Sequence, residues 1–139
     1  MKKLKTIGII LLLLLVTGGL YISQAFLRFD LMLNPINRHV HLATQGIGFG
    51  KRISLVPELF SPGMPMSEVE KGLLNAGFER RRRDQVWQPY QIEIDSGRRV
   101  YRREADAIPC NMVLYVFATF NEEGGISKGE AVRHERGCL

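Results

Sequence analysis

Only two cysteines, one tryptophan and three histidines occur among the 139 residues, and none stands in a catalytic or metal-binding motif. No cysteine precedes Cys110, which excludes lipid attachment at a processed amino-terminal cysteine. There is no Cys-x-x-Cys and neither cysteine adjoins a histidine, so a reactive thiol lacks its usual activating neighbours. A nucleophile elbow and a zinc-protease helix are both missing. Trp87 alone makes a poor platform for stacked bases. Residues 45–52 have glycines reminiscent of a phosphate loop. They lack the glycine six positions before Lys51, and Arg52 stands where Ser or Thr would hold magnesium. The sequence therefore predicts a non-enzymatic protein with no cofactor and no bound metal.

Charge is missing as well, from residues 6–27. That stretch of about 22 residues is long enough to cross a bilayer core as one helix. Lys2, Lys3 and Lys5 precede it, while Arg28 and Asp30 beyond it cancel. This asymmetry holds the amino terminus in the cytoplasm and sends the remainder across. A cleaved signal would use the apolar run 7–16 and the small residues of Ser23-Gln24-Ala25. Leu20, Tyr21, Ile22, Phe26 and Leu27 continue the apolar character past Thr17-Gly18-Gly19, which favours a retained anchor. The expected organisation is an anchor over 1–29, a connector over 30–56 and a small extracytoplasmic (periplasmic) domain over 57–139.

Composition fits a folded domain, with 45% hydrophobic and 24% charged residues. The formal charge of +5 falls to +2 without the three leading lysines, so the basicity is mostly topogenic. Nucleic acid is not expected as a partner. In an oxidising space the even cysteine count favours a Cys110–Cys138 disulfide, which would fasten the chain end to the sheet.

The clearest local signal is Met64-Pro65-Met66-Ser67-Glu68-Val69-Glu70, where Ser67 and Glu70 have capping-box spacing. A helix is predicted over 68–76, with Val69, Leu73, Leu74 and Ala76 apolar, Gly77 ending it and Phe78 folding back. Residues 57–60 suit a preceding turn. The 30–56 connector is expected to hold a short strand near residues 39–43. Val86, Tyr90, Ile92 and Ile94 recur at even spacing as a strand would, and Asp95-Ser96-Gly97 reads as a turn into a strand near 99–102. Residues 111–120 are apolar on both parities, the mark of a central strand. Residues 121–125 suit a hairpin turn, and 126–134 an edge or partly exposed strand. The predicted fold class is α+β, with one or two short helices on an antiparallel sheet of three to five strands.

Leu59-Phe60-Ser61-Pro62-Gly63-Met64, with Ser67-Glu68-Val69-Glu70 and Leu73-Leu74-Asn75-Ala76-Gly77-Phe78, resembles the glycine-methionine helix motif of the SmpA/OmlA family. Members are small envelope lipoproteins that assist outer-membrane barrel assembly, with helices followed by an antiparallel sheet. The resemblance covers about 20 residues. It implies the α+β fold and an envelope setting. The chain departs from the family in lacking a lipidated cysteine, in carrying a cysteine pair, and in having Ala76-Gly77-Phe78 where Leu-Gly-x-Pro is usual.

Arginine is the abundant charged residue, in 80–83, 98–99 and 102–103. If these segments pair as strands, Arg80, Arg82, Arg99 and Arg103 form a candidate surface for an acidic envelope protein or anionic lipid head groups. The competing expectation is internal pairing with Glu79, Asp84, Glu104 and Asp106. His39 and His41, alternating on a strand, are the candidates to join His134 at a metal in a hydrolase reading. The reading the sequence favours is a membrane-anchored interaction or accessory protein of the cell envelope, with a secreted inhibitor or immunity-type module as the alternative.

Overall fold

The computed structural model describes residues 2–105 and 110–138, with residues 2–6, 23–31, 105, 110, 137 and 138 described in backbone only. Helix α1 spans Lys2–Leu33, and a single residue, Asn34, separates it from α2 at Pro35–Ile47. The expected connector with a strand near 39–43 is thus mostly helix. Asn34 caps it, its Oδ1 accepting from the backbone N–H of Ile36 at 2.9 Å and Asn37 at 3.4 Å, with Pro35 preset for the first turn. The buried side of α2 carries Asn37, Val40 and Thr44.

Helix α3 (Met66–Asn75) lies beside α2. The Asn37 side-chain amide donates to the carbonyl of Ala76 at 2.8 Å, and a Cβ on Gly72 would sit 3.1 Å from Ile36 Cδ1. The two helices therefore pack closely. The start of α3 differs from the capping box expected of Ser67 and Glu70: Pro65 occupies the cap position and no side chain caps it. Instead Met66 N–H donates to the Gly124 carbonyl, Gly63 N–H to Ile126, and Ile126 N–H to Met64. The chain entering α3 is held by the hairpin turn, which leaves Glu70 free for other partners. The other end follows the sequence. Gly77 has φ +81°, its N–H donates to the Leu74 carbonyl, and Phe78 N–H donates to Leu73. Phe78 and Leu73 are both buried, whereas Leu74 is exposed.

The sheet has strand order β1-β5-β4-β3-β2 and is antiparallel throughout, with β1 Arg52–Ser54, β2 Glu79–Arg81, β3 Arg99–Ala105, β4 Cys110–Phe120 and β5 Ile126–Cys138. Central β4 has two buried faces. Met112, Leu114, Val116 and Ala118 meet α2 and α3 together with Val40, Val69 and Phe78, while Val113, Tyr115 and Phe117 form a second cluster with Val86 and Tyr90. β5 is not an edge strand, because β1 pairs along it from Arg52↔Val132 to Ser54↔Glu130, but it is partly exposed as expected, at Ser127 and Lys128. The strand expected over 86–94 is also replaced. Two 3-10 turns (Arg83–Gln85 and Gln88–Tyr90) lead into helix α4 (Gln91–Asp95). Pro89 cannot donate to a ladder, and the buried positions Val86 and Tyr90, with Ile94, are spaced four apart, which suits helical turns.

The contact between the α3 entry and the hairpin yields a sharp test. A Cβ on Gly125 would lie 2.9 Å from the backbone of Gly63. Gly125→Ala is expected to cost about 1–3 kcal/mol in urea unfolding, because backbone must move to admit it. Gly124→Ala, which meets no atom but has φ +81°, should cost about 1 kcal/mol.

Candidate binding groove on the second sheet face

The segment 83–97 crosses only part of the sheet face turned away from α2 and α3. Its covered end is built on charge. Arg52 Nη2 donates to Glu93 Oε1 at 2.5 Å and Arg52 Nη1 to Glu130 Oε2 at 3.1 Å. Arg98 Nη1 reaches Glu93 at 2.7 Å and Glu130 at 2.8 Å, and Lys128 Nζ lies 3.1 Å from Glu130. The Arg52 guanidinium sits 4.8 Å from the Phe117 ring centre, so the network rests on an aromatic floor. Burial disfavours charge on Glu130, but hydrogen bonds from Arg98 and Lys128 outweigh it and hold the carboxyl down to about 2. Burial opposes ionisation of Glu93 too, and the bonds from Arg52 and Arg98 still keep it below the ordinary carboxylate range. This cluster ties β1, β5 and α4 to the turn that leads into β3.

The uncovered end is a groove of about 600 Å³. Val86, Val113 and Tyr115 supply apolar lining, Asp84, Arg102, Glu135 and Arg136 bring charge of both signs, and Trp87, 55% exposed, stands over it. Trp87 meets the His134 ring edge-on at 5.1 Å and the Tyr90 ring at 5.7 Å. Tyr90 is hydrogen-bonded through its hydroxyl to His134 Nε2. Burial raises the Tyr90 pKa and lowers that of His134, so burial favours the neutral form of both. The bond between them fixes the two rings beside Trp87. An apolar lining with a few polar groups and a standing aromatic is the construction of a recognition site.

The sequence-expected residues are distributed differently. Register places Arg80 opposite Tyr101, and hence on the helix-covered face with Arg99 and Arg103. There Glu70 approaches Arg99 at 3.4 Å and Arg80 at 3.9 Å, and Arg103 Nη1 donates to the Ala76 carbonyl at 2.7 Å, at the negative end of α3. Arg82 lies outside the strand, exposed, at the start of a 3-10 turn. Arg80, Arg99 and Arg103 thus share one face, and Arg82 lies beyond the end of β2. The internal pairings are partly those expected, Arg81–Glu79 and Arg102–Glu104, while Arg83 takes Asp95 and Arg99 takes Glu70. Asp106 falls outside the described residues. His39 and His41 are on α2 and not on a strand, while His134 belongs to the groove on the other face. Among the described residues no group of three or more His, Cys, Asp or Glu is placed to hold a metal ion.

In backbone register Cys110 is directly opposite Cys138, with Gly137 left unpaired by the bulge next to Asn111↔Arg136. The cysteine side chains lie outside the described residues. Glu93 and Glu130, which build this face, have no sequence signal because their partners lie far away along the chain, and Tyr90 and Tyr115 are legible in the sequence only as strand residues. Compared with models of protein families, with curated proteins and with solved structures, the chain has no match.

Proposed function

We propose that the protein is a non-enzymatic accessory protein of the cell envelope, held in the cytoplasmic membrane by α1 with its amino terminus inside, its α+β domain in the periplasm receiving a partner at the groove beside Trp87. The observation that carries this reading is the surface of α1. Every described side chain over residues 7–22 is exposed, and Ile, Leu and Val occupy all sides of the helix, which suits lipid better than a one-sided contact. Among the described residues no helix is long and apolar enough to cross a membrane. The described side chains of α1 stop at 7 and 22, short of the about 20 residues a span needs, and the uncharged sequence continues to residues 6 and 27. The facing register of Cys110 and Cys138 supports the oxidising side of the membrane. The resemblance of residues 59–78 to the SmpA/OmlA family supports an envelope setting, and the barrel-assembly role is not carried over.

Topology is tested by alkylating intact cells with a membrane-impermeant maleimide after permeabilising the outer envelope layer. Both cysteines are expected to label only after a reductant is added, and intact mass should correspond to the uncleaved chain. A mass lacking residues 1–25 would favour the secreted binding module. Labelling only after the cytoplasmic membrane is broken would reverse the topology. A photo-crosslinking residue at position 87 should capture a neighbour that the same residue at Leu74, on the opposite side of the sheet, does not.

A further inference from the structure

From the segment joining α1 to the sheet we infer that the outer side of α2 and the turn after it, with Arg38, Leu42, Phe49 and Lys51, rest on the head groups of an anionic phospholipid bilayer. This rests on the reading of α1 as a membrane anchor. Three observations carry it.

The first is reach. If residues 6–27 cross the hydrocarbon, α1 continues to Leu33, about 9 Å of further helix. The head-group layer on one side is about 5–8 Å deep. With only Asn34 intervening, α2 begins at the lipid surface.

The second is the sidedness of α2. Asn37, Val40 and Thr44 are buried against the domain, whereas Arg38 is exposed, Leu42 is 51% exposed, and Phe49, beyond the helix, is 47% exposed. Cations beside exposed leucine and phenylalanine are the composition of a segment lying in a membrane interface. The Arg133 guanidinium stacks 4.5 Å from the Phe49 ring centre and so positions that ring from the protein side.

The third is charge. No aspartate or glutamate occurs between Asp30 and Glu58, while Arg38, Lys51 and Arg52 all fall there. Arg52 is consumed by Glu93 and Glu130. Among the described residues Arg38 and Lys51 have no carboxylate partner, and both are exposed. Each such cation near an anionic surface favours the docked state by about fivefold, the equivalent of ~1 kcal/mol.

The full chain carries one tryptophan, Trp87, on the sheet face opposite α2, so it serves as an internal reference. The experiment reconstitutes the chain in vesicles of phosphatidylglycerol and phosphatidylcholine with brominated acyl chains and reads tryptophan quenching. In a Trp87→Phe background, Phe49→Trp and Leu42→Trp are expected to be quenched strongly in the anionic vesicles and weakly in pure phosphatidylcholine, with Leu13→Trp quenched in both. Trp87 in the natural chain should be unaffected. Replacing Arg38 and Lys51 by glutamine should release positions 42 and 49 and leave position 13 unchanged. Quenching at 13 with none at 42 or 49 overturns the inference while leaving the anchor in place. Absence of quenching at 13 overturns the anchor itself. Equal quenching at 49 in neutral and anionic vesicles, or quenching at 87, overturns the choice of partner or of face. Leu42 is exposed, so its variant reports even if a change at position 49 disturbs the Arg133 contact.

Discussion

Glu93→Gln is expected to destabilise the domain by roughly 3 kcal/mol, one of the two largest single-residue effects apart from core cavities. The size follows from what is left behind. Arg98 has a side chain 11% exposed and Glu93 one 10% exposed, and Arg52 shares the same carboxylate. Removing the charge leaves the buried Arg98 guanidinium, and the more open Arg52, with Glu130 as their remaining counterion. Urea unfolding of the single variants and of Glu93→Gln/Arg98→Met gives the coupling. The double variant should be less destabilised than the sum of the two singles. Equal, additive losses would mean that Glu93 and Arg98 do not form one unit.

The same cluster fixes an acid limit. The Glu130 carboxyl is lowered from 4.5 to about 2 in the folded protein. A lowered folded value means the unfolded chain binds the proton more readily, so this contribution is complete above about 4.5 and is lost as pH falls through about 2. Glu93, lowered as well, acts with the same sign. His134 adds an earlier step. Its folded pKa is also lowered, by burial, so its neutral form favours folding above about 6.5 and that support declines as the pH drops below it. The wild-type stability profile should show both steps, and Glu130→Gln should flatten the lower one.

Which parts of this structure are legible in the sequence depends on where each residue's partner lies. β4 was readable because apolar residues on both parities have one solution, a strand covered on both sides. The end of α3 was readable because Gly77 and Phe78 act on carbonyls three and five residues back. Helix α2 was missed for a physical reason: two of its three buried residues, Asn37 and Thr44, are polar and interrupt the apolar side formed by Ile36 and Val40. Asn37 is buried to bind the Ala76 carbonyl, a partner 39 residues away. β5 looked like an edge because Gly129 and Ala131 are small. They are small because the strand is covered, as a Cβ on Gly129 would meet Leu55 Cβ at 3.3 Å. The capping box failed because the turn at 124–126 supplied backbone partners that outcompeted Ser67. The candidate groove was the least legible, since its aromatic rings converge from residues 87, 90, 115 and 134 only once β5 has paired with β4.

Cys138→Ser should lower stability by roughly 3–4 kcal/mol in protein purified without reductant, if the two cysteines are bonded. Residues directly opposite on antiparallel strands have Cα atoms about 4.5–5.5 Å apart, within the about 4.4–6.8 Å that a disulfide bridges. Register puts Cys110 and Cys138 in that relation at the open end of the β4–β5 hairpin. The bond would close a loop of about 29 residues and remove that much freedom from the unfolded chain, a large fraction of a small domain's total stability. Its effect should appear in the unfolded state more than in native contacts. A reductant should therefore destabilise the wild type by the same amount while leaving Cys138→Ser and Cys110→Ser unchanged. The double variant should match either single one, because one bond is lost in all three. If the wild type proves insensitive to reductant and its thiols react freely, the hairpin end is held by the sheet alone. The oxidising compartment would then lose its best physical support.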